Sequence, residues 1–287
     1  MLATEKRKRL RGLLAGQRCV GMASVYDPIS ARLADRLEIE SGLMGGSLAS
    51  FVVLGAPDVI VLTLSELADQ VRRTCRASAV AVVVDADHGY GNPLNVMRTV
   101  EELEHAGAAG LGIEDTLLPR SFGSSDKPQL IALAEGAAKI RAAVAARRDK
   151  SLVIMARTSA YAVTGVDDAI ARFQAYEAAG ADGLFLPGLR TRDELDRISA
   201  ATTLPLMIGA PAEALADPDY LASRRARLWS RGHQSFAAAV AALERAMRAL
   251  RDGAPGKLND LASKELMEWV TRGEEFAANA RRYLHPG

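Results

Sequence analysis

Short apolar runs alternate with segments of helical period along most of the chain. Runs at 19–23, 43–47, 79–84, within 106–115, and at 152–156, 184–186, 206–208 and 227–229 are read as strands. The run at 79–84 is continuous and rich in β-branched residues, which suits a strand covered on both faces. Helices fall between the strands. Asp27-Pro28 makes an N-cap and first-turn pair, and Ile29, Leu33 and Leu37 follow at helical spacing. Thr63-Leu64-Ser65-Glu66 is a capping box opening a helix to about Arg76, and Asn92-Pro93 opens another to about His105. Further helices are expected at 132–148, 167–179, 191–200 and 234–251. Segments 106–115 and 179–186 repeat one helix-end-to-strand design.

Strands alternating with helices imply a parallel sheet. Eight such units in about 250 residues favour a closed barrel over an open doubly wound sheet, and no Gly-rich dinucleotide fingerprint follows the first strand. The expected fold is α/β, a (β/α)8 TIM-type barrel in one domain over 1–287, with 253–287 as a C-terminal helical extension. That tail carries Leu266, Trp269 and Val270 after the barrel has closed, so it calls for a neighbouring subunit.

Composition narrows the function classes. Hydrophobic residues make up 49% and charged residues 25%, as in ordinary globular proteins. Lys plus Arg is 36 and Asp plus Glu 35, a net charge of +1 that does not support nucleic-acid binding as the main task. The basic stretch at 5–14 lacks the apolar core of a signal peptide. It is read as a surface helix, with a nucleic-acid arm as the alternative. Cys19 and Cys75 fit no metal spacing and no disulfide framework, which suits a reducing cytoplasm. No apolar run approaches the ~20 residues of a membrane span.

The chemistry gathers at the expected C-terminal ends of the strands, where such barrels carry their sites. Asp85 and Asp87 lie two apart after the 79–84 run, so on a strand they share a face. Their mutual repulsion is relieved by a hard cation such as Mg²⁺, which prefers oxygen ligands. Loop-capping aspartates are the plainer alternative. Glu114 with Asp115, Arg157, the small residues Gly45-Gly46-Ser47 and the segment Arg231-Gly232-His233 end other strands. Arg157 can grip a carboxylate through two hydrogen bonds or pair with one of the acids. His233 is a candidate catalytic group or a helix-terminal histidine. His88 ranks second because on a continuing strand it faces away from Asp85 and Asp87. His105 is read as structural and His285 as part of the tail. The polar loop at 119–128 has the length of an active-site lid. Together these groups point to a small dicarboxylate or keto acid whose oxygens chelate the metal.

Asp85-Ala86-Asp87-His88-Gly89-Tyr90-Gly91-Asn92, Gly112-Ile113-Glu114-Asp115 and Met155-Ala156-Arg157-Thr158 resemble the signature segments of the isocitrate lyase/phosphoenolpyruvate mutase superfamily, from about Val20 to Leu250. The resemblance implies a (β/α)8 barrel, Mg²⁺ with Mn²⁺ as a substitute, an enolate derived from an α-keto acid, and oligomers that exchange a C-terminal helix. The expected assembly is a homotetramer, a dimer of dimers. The lid reads Leu117-Leu118-Pro119-Arg120-Ser121-Phe122-Gly123, without the lyases' cysteine and with Phe122 where the phosphonate enzymes carry asparagine. The sequence is most similar to the oxaloacetate decarboxylase family. That similarity implies Asp85, with Asp87 and Glu114, as metal ligands, and Ser47, Gly46, Arg157 and His233 as substrate contacts. The implied reaction is Mg²⁺-dependent decarboxylation of oxaloacetate to pyruvate through a metal-bound enolate. The alternatives are a cysteine-independent C–C lyase acting on a substituted malate and a metabolite-binding barrel without catalysis.

Overall fold

The structure, a computed structural model, describes residues 1–124, 127–253, 258 and 260–284. The chain forms two compact units, Met1–Gly232 and His233–Gly287. Eight strands lie in the first unit: β1 (Val20–Ser24), β2 (Ser41–Met44), β3 (Ala81–Asp85), β4 (Gly110–Glu114), β5 (Val153–Arg157), β6 (Gly183–Pro187), β7 (Leu206–Gly209) and β8 (Ala226–Ser230). Each pairs in parallel with the next, and β8 returns to β1 with Leu228 opposite Val20. The sheet is therefore a closed (β/α)8 barrel, as the alternation of apolar runs and helical segments predicts.

The helices of this unit are α1 (Ala3–Ala15), α2 (Pro28–Arg36), α3 (Gly46–Leu54), α4 (Leu64–Cys75), α5 (Pro93–His105), α6 (Leu133–Ala146), the short α7 (Ala160–Val163), α8 (Val166–Ala178), α9 (Arg192–Ala201) and α10 (Pro218–Ser223). The caps fall where the sequence places them. Asp27 accepts from Ser30 N, Thr63 from Glu66 N, and Asn92 from the N–H groups of Leu94 and Asn95. Each satisfies N–H groups that a helix start leaves without an acceptor. Neither α3 nor α7 was expected: α3 begins where residues 43–47 read as a strand end.

Alternation along the strands separates two cores. Val82, Val84, Leu111, Ile113, Ile154, Leu184 and Ile208 face the helix layer. Ala81, Val83, Val153, Met155, Phe185, Met207 and Leu228 fill the barrel interior, together with Leu10 and Leu14 of α1. The N-terminal helix thus contributes to the interior core. Its basic residues are not the solvent-facing set expected of a surface helix. Lys6 and Arg7 are 4% and 5% exposed. Lys6 Nζ donates to the carbonyls of Cys75 and Ser78. Arg7 donates to Ala108 O (3.0 Å), Glu104 O (2.6 Å) and Asp149 (2.8 Å). Arg11 reaches Ser151 O, Leu152 O and Asp182. These acceptors lie in the segments that lead into β3, β4, β5 and β6. The cations supply donors to buried carbonyls there.

The second unit holds α11 (Gln234–Arg251), α12 (Lys264–Thr271) and α13 (Gly273–Tyr283). The helix after β8 therefore groups with the tail. No residue of α11 is buried, and Val240, Leu243, Met247 and Leu250 are exposed on it. Asn259 and His285 lie outside the described residues. Among the described residues no helix is long and apolar enough to cross a membrane.

Candidate active site

Three strands supply the centre of the site at their C-terminal ends. Asp85 ends β3 on the inward face that also carries Ala81 and Val83. Glu114 ends β4 and stands opposite Arg157 in the β4–β5 register. Arg157 ends β5 and stands opposite Phe185, whose ring its guanidinium overlies at 5.4 Å. Gly112 lies opposite Asp85 in the β3–β4 register. A Cβ there would come within 3.3 Å of Phe185, so the glycine makes room for that ring below the acids.

Arg157 Nη1 is 2.5 Å from Asp85 Oδ2 and 3.6 Å from Glu114 Oε1. Its Nε is buried without a partner. Burial alone would lower its pKa, but Asp85, Glu114 and Asp87 outweigh that and hold it above the ordinary arginine value. Glu114 Oε2 accepts from Thr116 Oγ1 at 2.5 Å.

Asp87 joins this cluster by a route that strand alternation does not describe. The strand stops at Asp85, and Asp87 takes a left-handed backbone with φ 48°. Its N–H lies 3.3 Å from Asp85 Oδ1, and its carbonyl accepts from Glu114 N at 2.8 Å. The turn, not the pleat, brings the two aspartates together. Burial pushes the Asp87 carboxyl well above the usual range, and Asp85, Glu114 and Asp58 push it further against the pull of Arg157. Burial also raises Glu114.

Helix α3 approaches the same carboxylate. Its first intrahelical bond runs from Ala49 N to Gly45 O, so the N–H groups before Ala49 lack intrahelical acceptors. A Cβ on Gly46 would lie 2.5 Å from both Asp87 oxygens. Gly46 is therefore required by the close approach of Asp87. Ser47, half-buried in the first turn of α3, is beside it in sequence.

The other acids and histidines divide. Asp115 is adjacent to Glu114 but turns to the helix side. Its Oδ2 accepts from Thr158 Oγ1 (2.9 Å), Arg172 Nη1 (3.0 Å) and Tyr176 Oη (2.6 Å). It anchors the base of the loop after β4, where Ile131 N donates to Asp115 O and Thr116 pairs with Leu130. Part of the expected lid at 119–128 lies outside the described residues; within it, Phe122 is fully exposed. His88 is buried, its carbonyl accepts from Lys139, and burial pushes its pKa down to about 4. His233 is the N-cap residue of α11 in the second unit. His105 Nδ1 pairs with the Glu101 carbonyl at the end of α5, a structural position.

A cavity of about 350 Å³ opens over the cluster, lined by Asp87, Glu114 and Arg157 with Asp58, Leu118 and Arg120. Asp58 and Arg120 were not among the candidate site residues. Asp58 follows α3 in an irregular segment with no motif, whereas the position of Arg120 in the lid could have flagged it. Among the described residues no group of three or more acid, His or Cys side chains is arranged to hold a metal ion. Asp85 and Glu114 instead face Arg157. The donor set still fits a hard divalent cation. It is all carboxyl, Asp87 and Glu114 are buried, and three carboxyl groups face one guanidinium. Mg²⁺ is commonly held by one or two carboxylates plus water.

The chain matches known proteins over most of its length. The family model described as phosphoenolpyruvate phosphomutase matches residues 10–251. A protein of Rhodopseudomonas palustris (strain BisA53) named oxaloacetate decarboxylase is 58% identical over 97% of this chain and 96% of its own length. Oxaloacetate acetylhydrolase, solved in complex with the inhibitor 3,3-difluorooxalacetate, superposes with a TM-score of 0.87 at 28% identity, over 97% of each chain. Phosphonopyruvate hydrolase, solved with oxalate and Mg²⁺, gives 0.87 at 28% identity over 99% of this chain and 100% of that one.

Proposed function

The chain belongs to the phosphoenolpyruvate phosphomutase family, and we propose that within it the protein decarboxylates oxaloacetate to pyruvate and CO₂ with Mg²⁺ or Mn²⁺ as cofactor. The observation that carries this reading is the convergence of Asp85, Asp87 and Glu114 on Arg157 beneath one cavity at the strand ends. The name of its 58%-identical relative supports the choice of reaction within the family.

Asp85, Asp87 and Glu114 would hold the cation directly or through water. A bound divalent cation supplies Lewis-acid stabilisation to the substrate oxygens that gain charge as the C–C bond breaks. Arg157 and Ser47 hold the C1 carboxylate, and a ligand there would satisfy the buried Arg157 Nε. The N–H groups at the start of α3, near Gly46, add electrostatic support to negative charge. Breaking the C3–C4 bond releases CO₂ and leaves the electron pair as an enolate, which takes a proton at C3 to give pyruvate. His233 is assigned to that proton or to the departing carboxylate on sequence grounds, as the histidine that follows β8. A homotetramer exchanging its C-terminal helices, placed in the cytoplasm, belongs to the same reading. The exposed apolar residues of α11 and the two free cysteines support it.

The test is pyruvate release from oxaloacetate with Mg²⁺, compared with Asp85→Ala and an enzyme-free blank, because Mg²⁺ alone decarboxylates this substrate slowly. Turnover well above both controls is expected. Turnover no faster than the blank overturns the reading and turns attention to C–C cleavage of 2-hydroxy acids.

A further inference from the structure

A buried ammonium lies behind the acidic turn. Lys139, on α6, is 4% exposed, and its Nζ donates to the His88 carbonyl at 3.0 Å. Removing a lysine charge from water is costly unless the site repays it through specific contacts. An apolar side chain would pack that face of α6 without this cost, so the ammonium needs another explanation.

The contacts of the turn supply one. Four successive carbonyls after β3 each have a partner. Ala86 O accepts from Gly89 N (2.9 Å), and Asp87 O accepts from Glu114 N (2.8 Å). His88 O accepts from Lys139 Nζ (3.0 Å), and Gly89 O accepts from Thr99 Oγ1 (3.0 Å). Between them stands Asp87 in a left-handed conformation that a non-glycine residue holds only when its surroundings fix it. Two of the four pins come from side chains on helices outside the strand, and Lys139 is the charged one.

We propose that Lys139 is a positioning residue for the acidic cluster: by fixing the His88 carbonyl it holds the turn that aims the Asp87 carboxylate at the cavity. The ammonium also places positive charge near Glu135, Glu114 and Asp115, and Lys139 does not line the cavity. Lys139 touches no reacting atom. Its effect passes through the backbone of the turn. The inference rests on the reading of this cluster as a divalent-cation site.

The experiment titrates Mn²⁺ alone into wild type, Lys139→Met and Lys6→Met, following free Mn²⁺ by electron paramagnetic resonance. Thermal unfolding of each is recorded alongside. Lys6 is a second buried lysine that donates to backbone carbonyls, those of Cys75 and Ser78. Supporting groups around a metal ligand typically contribute ~10–100-fold in affinity. Lys139→Met is expected to weaken Mn²⁺ binding by about tenfold or more, with kcat falling more than KM rises. Lys6→Met is expected to lower the unfolding temperature and leave Mn²⁺ affinity unchanged. A folded Lys139→Met protein that binds Mn²⁺ like wild type overturns the proposal. If Lys139→Met does not fold, Thr99→Val releases the next carbonyl of the same turn: weakened Mn²⁺ binding supports the proposal and unchanged binding overturns it. Wild type that binds no Mn²⁺ refutes the cation reading itself, a separate and distinguishable result.

Discussion

Adding one methyl group at Gly46 tests whether the position of Asp87 matters. Gly46 begins α3 with an ordinary backbone, so alanine meets no conformational obstacle there and slightly favours the helix. The obstacle is the Asp87 carboxylate, whose oxygens would lie 2.5 Å from the new Cβ, with Cγ at 2.8 Å. An ordinary Cβ contact is 3.4–4 Å, so the carboxylate must retreat by about 1 Å. Asp87 is 9% exposed and its backbone is pinned on both sides, so the retreat displaces the carboxylate from the cavity. A misplacement of that size can reduce turnover by ~10²-fold. Overpacking costs ~1–3 kcal/mol of stability, partly offset by ~0.5–1 kcal/mol from replacing glycine in a helix. The assay couples pyruvate to lactate dehydrogenase, with Mg²⁺ titrated at each oxaloacetate concentration. The expected Gly46→Ala enzyme is folded, slightly less stable, about 100-fold slower and weaker for Mg²⁺. A variant with wild-type kcat and Mg²⁺ dependence would refute the claim that the placement of Asp87 controls the site.

Three further predictions concern other parts of the chain. His233→Ala should lower kcat by ~10²–10⁴-fold if the imidazole delivers the proton to C3; retention of nearly full kcat removes it from the mechanism. Arg7→Ala should cost ~2–4 kcal/mol in urea unfolding, because it strands Glu104 and Asp149 with fewer partners, while kcat stays unchanged; a stability change under ~0.5 kcal/mol, typical of a surface residue, would refute that. Burial pushes the Cys75 thiol up to about 12 from 9.0. Between these values the unfolded chain releases a proton that the folded chain keeps, so stability falls as pH rises, by up to ~1.4 kcal/mol per unit. Cys75→Ala should show a shallower alkaline loss, and equal slopes in the two proteins would refute the assignment.

The barrel was legible because strands such as β3, β4 and β5 are apolar runs buried on both faces, and the caps because Asp27, Thr63 and Asn92 act on residues two or three away. Asp85, Glu114 and Arg157 were legible for a related reason: a polar residue that ends a buried strand of such a barrel has the mouth to point into. What stayed hidden depended on contacts between distant segments. Strand alternation gave Asp87 the right neighbours for the wrong reason, since the chain turns at φ 48° rather than continuing the pleat. Glu114 and Asp115 looked like a pair, yet adjacent strand residues face opposite sides, and Asp115 belongs to Arg172 and Tyr176. The basic stretch at the N-terminus looked solvent-facing because composition does not show that the carbonyls near β3–β6 need donors.

These contrasts place the stabilising and functional charges in different parts of the barrel unit. Cations of α1 pair with carbonyls and acids near the strand starts, and there each charge has an answering group. Beside Asp87, at the strand ends, Asp85, Glu114 and Asp58 add negative charge against the pull of Arg157, and burial adds to the cost. The proposed cation would relieve this repulsion; without it the arrangement is destabilising, and relieving the charge by substitution should stabilise the fold at the expense of function. Asp87→Asn tests this directly, since it preserves shape and removes one negative charge. In the presence of chelator at neutral pH, the variant should unfold ~2–4 °C above wild type, the shift expected for ~1 kcal/mol in a chain of this size. With saturating Mg²⁺ the order should reverse, because wild type gains binding energy that the variant has lost. An Asp87→Asn protein less stable than wild type in chelator would show that Asp87 serves the fold rather than the cation.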